Sequence, residues 1–325
     1  MFFRLRILHH SVLSRFLGEV EFKVERFLTL LTAHLVVALI ILVGIGGATR
    51  VMEAGLACPD WPLCYGVLIP GRQMNLQVFL EWFHRLDAFL VGSALLILWA
   101  SSLRKPVASI RWFPLATSFA LLLVIAQGAL GALTVTMQLA SPLVSAHLLT
   151  ALLLIAVLSA MYQRLGIQFS TTFQRPIIPT WWLIFPTLCL IIVLSQCLLG
   201  GAMASQWAVQ QCFNSGESCH LLLLHRLSAY PAAVAVLTMA AVAALLPNNL
   251  SHLRRFSFAA AVIVLLQVAI GILTLRLQLS VPLVTITHQL LAALLVGLIG
   301  AVLGRSFPPQ FHPITTTVYP EAAHG

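Results

Sequence analysis

The amino-acid sequence predicts an all-helical integral membrane protein. Eight transmembrane helices form two four-helix bundles related by a pseudo-two-fold axis, and both termini are cytoplasmic. Three observations carry that prediction. Of 325 residues, 60% are hydrophobic and 8% are Asp, Glu, Lys or Arg, with a mean hydropathy of +0.99, whereas about a quarter of an ordinary soluble domain is charged. Apolar runs of about 20 residues, the length that crosses a bilayer, recur eight times. Landmarks of the first half also return, in order, in the second. A soluble globular protein and a disordered chain are both excluded. The excess of 18 Lys and Arg over 9 Asp and Glu calls for no nucleic-acid partner, because membrane proteins concentrate Lys and Arg in cytoplasmic loops.

The first span, 27–48, follows Arg4, Arg6, Arg15, Lys23 and Arg26. It lacks a small-residue cleavage pattern and so reads as a retained span rather than a signal peptide. The remaining spans are expected at 79–102, 112–137, 143–164, 181–203, 220–246, 256–279 and 283–304, bounded by charge, Pro or Gly. Arg104, Lys105, Arg111, Arg164, Arg175, Arg254, Arg255 and Arg305 fall on the same side as the N-terminal basic residues, 13 of the 18 Lys and Arg in all, which makes that side cytoplasmic. Arg50, Arg72 and Arg276 lie opposite, and Arg85 and Arg226 stand just inside helices. The expected domains are a cytoplasmic segment 1–26, a first bundle 27–164, a linker 165–180 with Arg175, Pro176 and Pro179, a second bundle 181–304 and a cytoplasmic tail 305–325.

The repeat is explicit. Gln127-Gly128-Ala129-Leu130-Gly131-Ala132-Leu133-Thr134 returns as Gln267-Val268-Ala269-Ile270-Gly271-Ile272-Leu273-Thr274, His84-Arg85-Leu86 as His225-Arg226-Leu227, and Gly46-Gly47-Ala48 as Gly200-Gly201-Ala202. Four spans per half give both copies the same orientation, with the pseudo-symmetry axis along the membrane normal.

Four histidines follow from the repeat: His84 and His147 in the first half, His225 and His288 in the second, all at similar depth toward the extracytoplasmic side. A single intramembrane His is as readily a hydrogen-bonded packing residue. Two on non-adjacent helices of each bundle match a haem iron, whose axial positions lie on opposite faces of a flat porphyrin; zinc would want four ligands, typically with Cys. Ala88, Gly92 and Ala229 on the same helical faces suit a plate-like ligand or ordinary helix packing. Arg85 and Arg226 could pair with haem propionates or snorkel to the interface.

The halves differ at Glu81, three residues before His84, where the second half has Leu222. A carboxylate at membrane depth is expensive and usually functional, which points to proton chemistry in the first half and cofactor holding in the second. An interfacial pair with Arg85 at i+4 is the plainer alternative. Cys58/Cys64 and Cys212/Cys219 each close a short extracytoplasmic loop that a disulfide could staple, the structural role being favoured over a redox-active one. Cys189 and Cys197 read as core packing.

At these residues the chain resembles the haem A synthase family. The carriers are Gly46 to Arg50, Gly55 to Cys64 with Cys58-Pro59-Asp60-Trp61-Pro62-Leu63-Cys64, Glu81-Trp82-Phe83-His84-Arg85, the stretch from Gln127 to His147 and their second-half counterparts, covering roughly residues 27 to 304. The resemblance implies a haem b ligated by His225 and His288, the substrate haem O near His84 and His147, and Glu81 as the catalytic acidic position. It implies the reaction too: a porphyrin methyl oxidised twice, to an alcohol and then a gem-diol that loses water to leave the formyl group of haem A. Expected partners are the haem O synthase, the cytochrome oxidase assembly machinery, the lipid bilayer and an unidentified electron acceptor, a quinone among the candidates. The expected location is a bacterial plasma membrane, or a thylakoid membrane. Glu19, Glu21 and Glu25 disfavour a mitochondrial transit peptide. The residues alone leave open a dihaem b-type cytochrome that only relays electrons, a membrane disulfide oxidoreductase, and a haem carrier or assembly factor without catalysis.

Overall fold

The computed structural model describes residues 2–104, 107, 110–169, 177–203 and 219–307, with side chains from residue 23 onward. Among them are eight long helices: α1 (Phe2–Val51), α2 (Leu76–Ser102), α3 (Trp112–Thr136), α4 (Ser141–Gln168), α5 (Ile184–Met203), α6 (His220–Ala244), α7 (Ser251–Arg276) and α8 (Pro282–Arg305). Each contains a stretch long and apolar enough to cross a membrane, and no strand occurs among the described residues. Large apolar side chains such as Leu30, Phe89, Leu115, Leu122 and Val234 are exposed on the helices, a surface suited to lipid rather than water. The chain is a multi-pass membrane protein. The expected spans coincide with these helices to within a few residues, except that α1 begins well before its apolar run and continues into it without a break.

Local signals start the helices where they stand. The Asn75 side chain accepts the Val78 N–H at 2.9 Å and caps α2. Pro142 and Pro282 occupy the first turns of α4 and α8, where a missing N–H costs nothing. The repeat extends to backbone conformation. Gln138 and Leu139 join α3 to α4 at φ 50° and 59°, and Gln278 and Leu279 join α7 to α8 at the same values. The Leu139 N–H donates to the Thr134 carbonyl and the Leu279 N–H to that of Thr274. Paired left-handed residues without glycine are uncommon, and the closing hydrogen bond offsets part of their strain.

In the packing, α1 lies against α2 and α4, and α3 against α2 and α4. Likewise α5 lies against α6 and α8, and α7 against α6 and α8. The two sets meet through α4 and α8, flanked by α1 against α8 and α5 against α4. Two glycines one turn apart, Gly300 and Gly304, let α8 press its backbone onto that of α4 at Ala156 and Ala160. Small residues of this kind drive helix association where lipid removes any hydrophobic preference. At one end the contact is sealed by Arg305, whose Nε donates to Oε1 of Gln163 at 2.7 Å.

The segments 170–176 and 308–325 lie outside the described residues, as do Arg175, Pro176 and most of the expected C-terminal tail.

Candidate functional site

Each of the four histidines sets the edge of its ring against a glycine of the preceding helix. Cε1 of His84 on α2 lies 2.9 Å from where a Cβ on Gly46 of α1 would stand. The corresponding distances are 3.0 Å for His225 and Gly200, 2.9 Å for His288 and Gly271, and 3.5 Å for His147 and Gly131. At Gly46 and Gly271 any side chain would collide with the ring, and at Gly200 it would press on it, so glycine is what lets the imidazole in.

The doubled glycines have a second reason. Beside Gly46, a Cβ on Gly47 would meet Oε1 of Gln289 on α8 at 2.7 Å. Beside Gly200, a Cβ on Gly201 would meet Leu148 on α4 at 3.3 Å. In each pair the first glycine admits a histidine from within its own set of helices. The second admits the residue next to a histidine, Gln289 or Leu148, from the other set.

The histidines pair within each half: His84 and His147 are within electrostatic reach of one another, as are His225 and His288. Nδ1 of His84, His147 and His288 is buried without a hydrogen bond, and the rings face the backbone of Leu42, Gln127 and Gln267, one turn before the respective glycine. Nε2 of His84 and His147 is neither buried nor hydrogen-bonded among the described residues. An open Nε2, with the other side of the ring turned to a backbone group one turn before the glycine, is what an axial imidazole needs, so His84 and His147 fit a haem held between two imidazoles; Nε2 of His288 lies 3.3 Å from Nε2 of Gln267, which would have to turn aside there. No group of three or more His, Cys, Asp or Glu among the described residues forms a multi-ligand metal cluster.

Glu81 is 3% exposed and held by both oxygens. Oε2 accepts the Cys58 N–H at 2.8 Å, and Oε1 pairs with Nη2 of Arg85. Nη1 of Arg85 donates to the carbonyls of Asp60 and Leu63, each at 2.6 Å, and Nη2 reaches the Cys58 carbonyl at 3.4 Å. Those carbonyls belong to the loop closed by the Cys58–Cys64 disulfide. The turn beyond it, with Tyr65 at φ 55° and Gly66 at φ 71°, is capped by the Asp60 carboxylate, which accepts both N–H groups at 2.6 and 2.7 Å. Arg85, expected as a propionate partner, thus commits both terminal nitrogens to Glu81 and to this loop. Arg226 is exposed and makes no hydrogen bond or ion pair with a described residue. Lys cannot present Arg's planar fork to three carbonyls and a carboxylate at once, so Arg85→Lys is expected to loosen the loop, read as faster proteolysis between residues 58 and 75.

Cys219 is disulfide-bonded; Cys212, its expected partner, lies outside the described residues. Cys189 and Cys197 are free. Sequence reading missed Gln196, whose carboxamide lies 3.1 Å from Nδ1 of His225, and Ser228, which donates to Gln196. The Gln-x-x-x-Gly spacing of Gln127/Gly131 and Gln267/Gly271 recurs at Gln196/Gly200 and would have found it. Asp87, a second carboxylate in the α2 span, was visible as an intramembrane acid and also missed.

A family profile described as COX15-CtaA, cytochrome oxidase assembly protein, matches residues 26–299. The chain belongs to this family. The stretch that the COX15-CtaA profile covers holds all four histidines, Glu81, Arg85, Arg226 and both loop cysteine pairs. Three curated relatives carry the name "Heme A synthase". That of Shewanella oneidensis is 34% identical over 202 residues, covering 56% of this chain and 58% of the relative. That of Sphingopyxis alaskensis is 28% identical over 326 residues, 82% and 88%. That of Geobacillus kaustophilus is 37% identical over 131 residues, 37% of each. The match thus spans a little over half the length of the first relative and most of the second.

Proposed function

We propose that this COX15-CtaA chain is a haem A synthase, an oxidoreductase of the bacterial plasma membrane that converts a methyl group of haem O to a formyl group by successive hydroxylations. The observation that carries the reading is one asymmetry between two matched histidine pairs. Beside His84 stands Glu81, buried and held by Cys58 and Arg85; the second half has Leu222 at that position. The relatives' names agree with it. On this reading haem b, held by His225 and His288, supplies one-electron transfer when bound. His84 and His147 hold the substrate haem O, and Arg226 faces the propionates of haem b. Glu81, gripped at both oxygens, takes up or returns a proton at the methyl carbon's edge of the substrate or stabilises positive charge there. The disulfide-closed loop, pinned by Arg85, keeps water from that carboxylate.

The packing of α1–α4 and of α5–α8 supports two bundles, 27–164 and 181–304, joined by 165–180 and related by a pseudo-two-fold axis. The distribution of Lys and Arg supports cytoplasmic termini and extracytoplasmic haem sites. Partners on this reading are the haem O synthase, the oxidase assembly machinery and an electron acceptor such as a quinone.

The test is expression in a host that makes haem O and no haem A, with membrane haems extracted and identified by mass spectrometry. Haem A or its hydroxylated precursor is expected. Haem b with unchanged haem O, from a folded protein supplied with an acceptor, would favour the electron relay or carrier instead. A finer outcome follows from the seats. Gly200→Ala and Gly271→Ala should lower haem b content by about tenfold or more, by displacing the ligands they seat. Gly131→Ala, where a Cβ stands at ordinary contact distance, should leave haem content unchanged in a pyridine haemochrome assay.

A further inference from the structure

The four histidine seats are braced unequally. At His225, Nε2 of Gln196 donates to the His225 carbonyl at 2.8 Å and lies 3.1 Å from Nδ1, while Oε1 accepts the Ser228 hydroxyl at 2.5 Å. At His147, Oε1 of Gln127 accepts the Thr150 hydroxyl at 3.1 Å. The geometry is shared: a glutamine one turn before the seat glycine bonds a hydroxyl three residues after the histidine. The turn that carries the imidazole is thereby tied to the neighbouring helix. At His288 the glutamine is present, with Nε2 of Gln267 3.3 Å from Nε2 of the ring. There Leu291 replaces the hydroxyl, and Oε1 of Gln267 is buried without a partner. At His84 both parts are missing. Buried Leu42 stands where the other three seats have glutamine, Asp87 stands where the hydroxyl would be, and neither His84 nor Asp87 makes a side-chain hydrogen bond among the described residues.

We propose that Gln127 and Thr150 are a positioning pair that makes His147 the permanent axial ligand of the N-terminal site, and that His84, whose turn Glu81 and Arg85 tie to the loop but no glutamine ties to α1, is the ligand that lets go when haem O enters and haem A leaves. The inference rests on the haem reading above. Its physical basis is that partners beyond a metal's direct ligands set how firmly an imidazole stays on the metal, typically by about 10–100-fold in affinity. A site that keeps its cofactor gains from a glutamine at both seats: the second half has Gln196 with Ser228 at His225 and, at His288, Gln267 with its contact to the ring alone. A site that must exchange its haem at every turnover needs one ligand free to swing, and the first half has Leu42 at one seat.

The experiment uses the full chain, purified with haem b in place and loaded with haem O, and measures the rate at which haem O passes to excess apomyoglobin together with the low-spin ferric signals. Gln127→Leu is expected to speed release by about 10–100-fold, Thr150→Val to speed it less, Thr150→Ser to restore the wild-type rate and Leu42→Gln to slow it. His84→Ala should retain haem O as a high-spin species, and His147→Ala should lose it. Wild-type release rates in both Gln127→Leu and Leu42→Gln, or retention in His147→Ala with loss in His84→Ala, would overturn the proposal. The haem b signal reports folding in every variant. Should Gln127→Leu not fold, Leu42→Gln and Thr150→Val decide. A wild-type chain that shows the haem b signal but never acquires a second on adding haem O would overturn the functional reading as well, and is recognised before any substitution is made.

Discussion

On the proposed function, Glu81→Gln is expected to lower haem A formation by at least about 100-fold, the smaller end of what a positioned acid or base contributes. The substitution is nearly isosteric. The amide oxygen can still accept the Cys58 N–H that Glu81 accepts at 2.8 Å, so the loop has no steric reason to move. What disappears is the charge facing Arg85 and the ability to take a proton and give it back. Both histidine pairs and their glycine seats are untouched, so bound haem b and haem O are expected at wild-type levels, separating a chemical defect from a binding one. Glu81→Asp provides the geometric control: shorter by one methylene, it cannot reach both Cys58 and Arg85 from the same backbone position, and intermediate activity is expected. Extracted haems from membranes of the two variants decide it, and wild-type haem A from Glu81→Gln would remove the carboxylate from the mechanism.

Gly304→Ala has the largest expected effect on stability. The added Cβ would land on the backbone of Ala160, and one on Gly300 would come within 2.5 Å of the Ala156 carbonyl oxygen and 2.8 Å of its Cα. A side chain in the way can change rotamer; a helix backbone cannot, so α8 must retreat from α4 along the whole contact between the two halves. The cost is expected at about 3 kcal/mol, the upper end for overpacking, and Gly300→Ala together with Gly304→Ala should leave little folded protein in detergent. Gly128→Ala on α3 and Gly166→Ala on α4, where a Cβ meets nothing within 4 Å, are the controls. They should be neutral or stabilising by up to about 1 kcal/mol, since Ala favours a helix over Gly. Thermal unfolding of the purified variants measures all four, and a Gly304→Ala protein as stable as wild type would mean the helices are not in backbone contact.

Much of the candidate site was legible because its features are local in sequence. Hydrophobic run length located all eight spans, and the recurrence of Gly-Gly-Ala, His-Arg-Leu and the Gln-to-Thr octet placed the four histidines in equivalent positions. Glu81 stood out because a carboxylate at membrane depth is conspicuous in one half and absent from the other. A pair of Glu81 with Arg85 at i+4 was legible only as an exposed interfacial alternative to a functional role, and the structure has the pair with Glu81 buried; a staple between Cys58 and Cys64 was legible from their spacing. That Arg85 serves this loop was not legible: its carbonyl partners lie 22 to 27 residues earlier, and no spacing rule connects a guanidinium to particular backbone oxygens of a loop.

Composition, periodicity and repetition were thus enough to predict a multi-pass helical chain and its internal duplication, and to nominate the residue types of two candidate histidine sites. Tertiary structure alone decided which side of each helix faces its neighbour. In a membrane helix a leucine is equally at home against lipid or protein, so the apolar pattern carries little information about direction. Direction is set where backbones or rings come close enough to forbid or crowd a Cβ, as at Gly46, Gly200, Gly271, Gly300 and Gly304, and where a polar side chain can reach a partner only across the helix interface, as Gln127 reaches Thr150 and Gln196 reaches Ser228. Those contacts join residues on neighbouring helices, which no local spacing rule can pair.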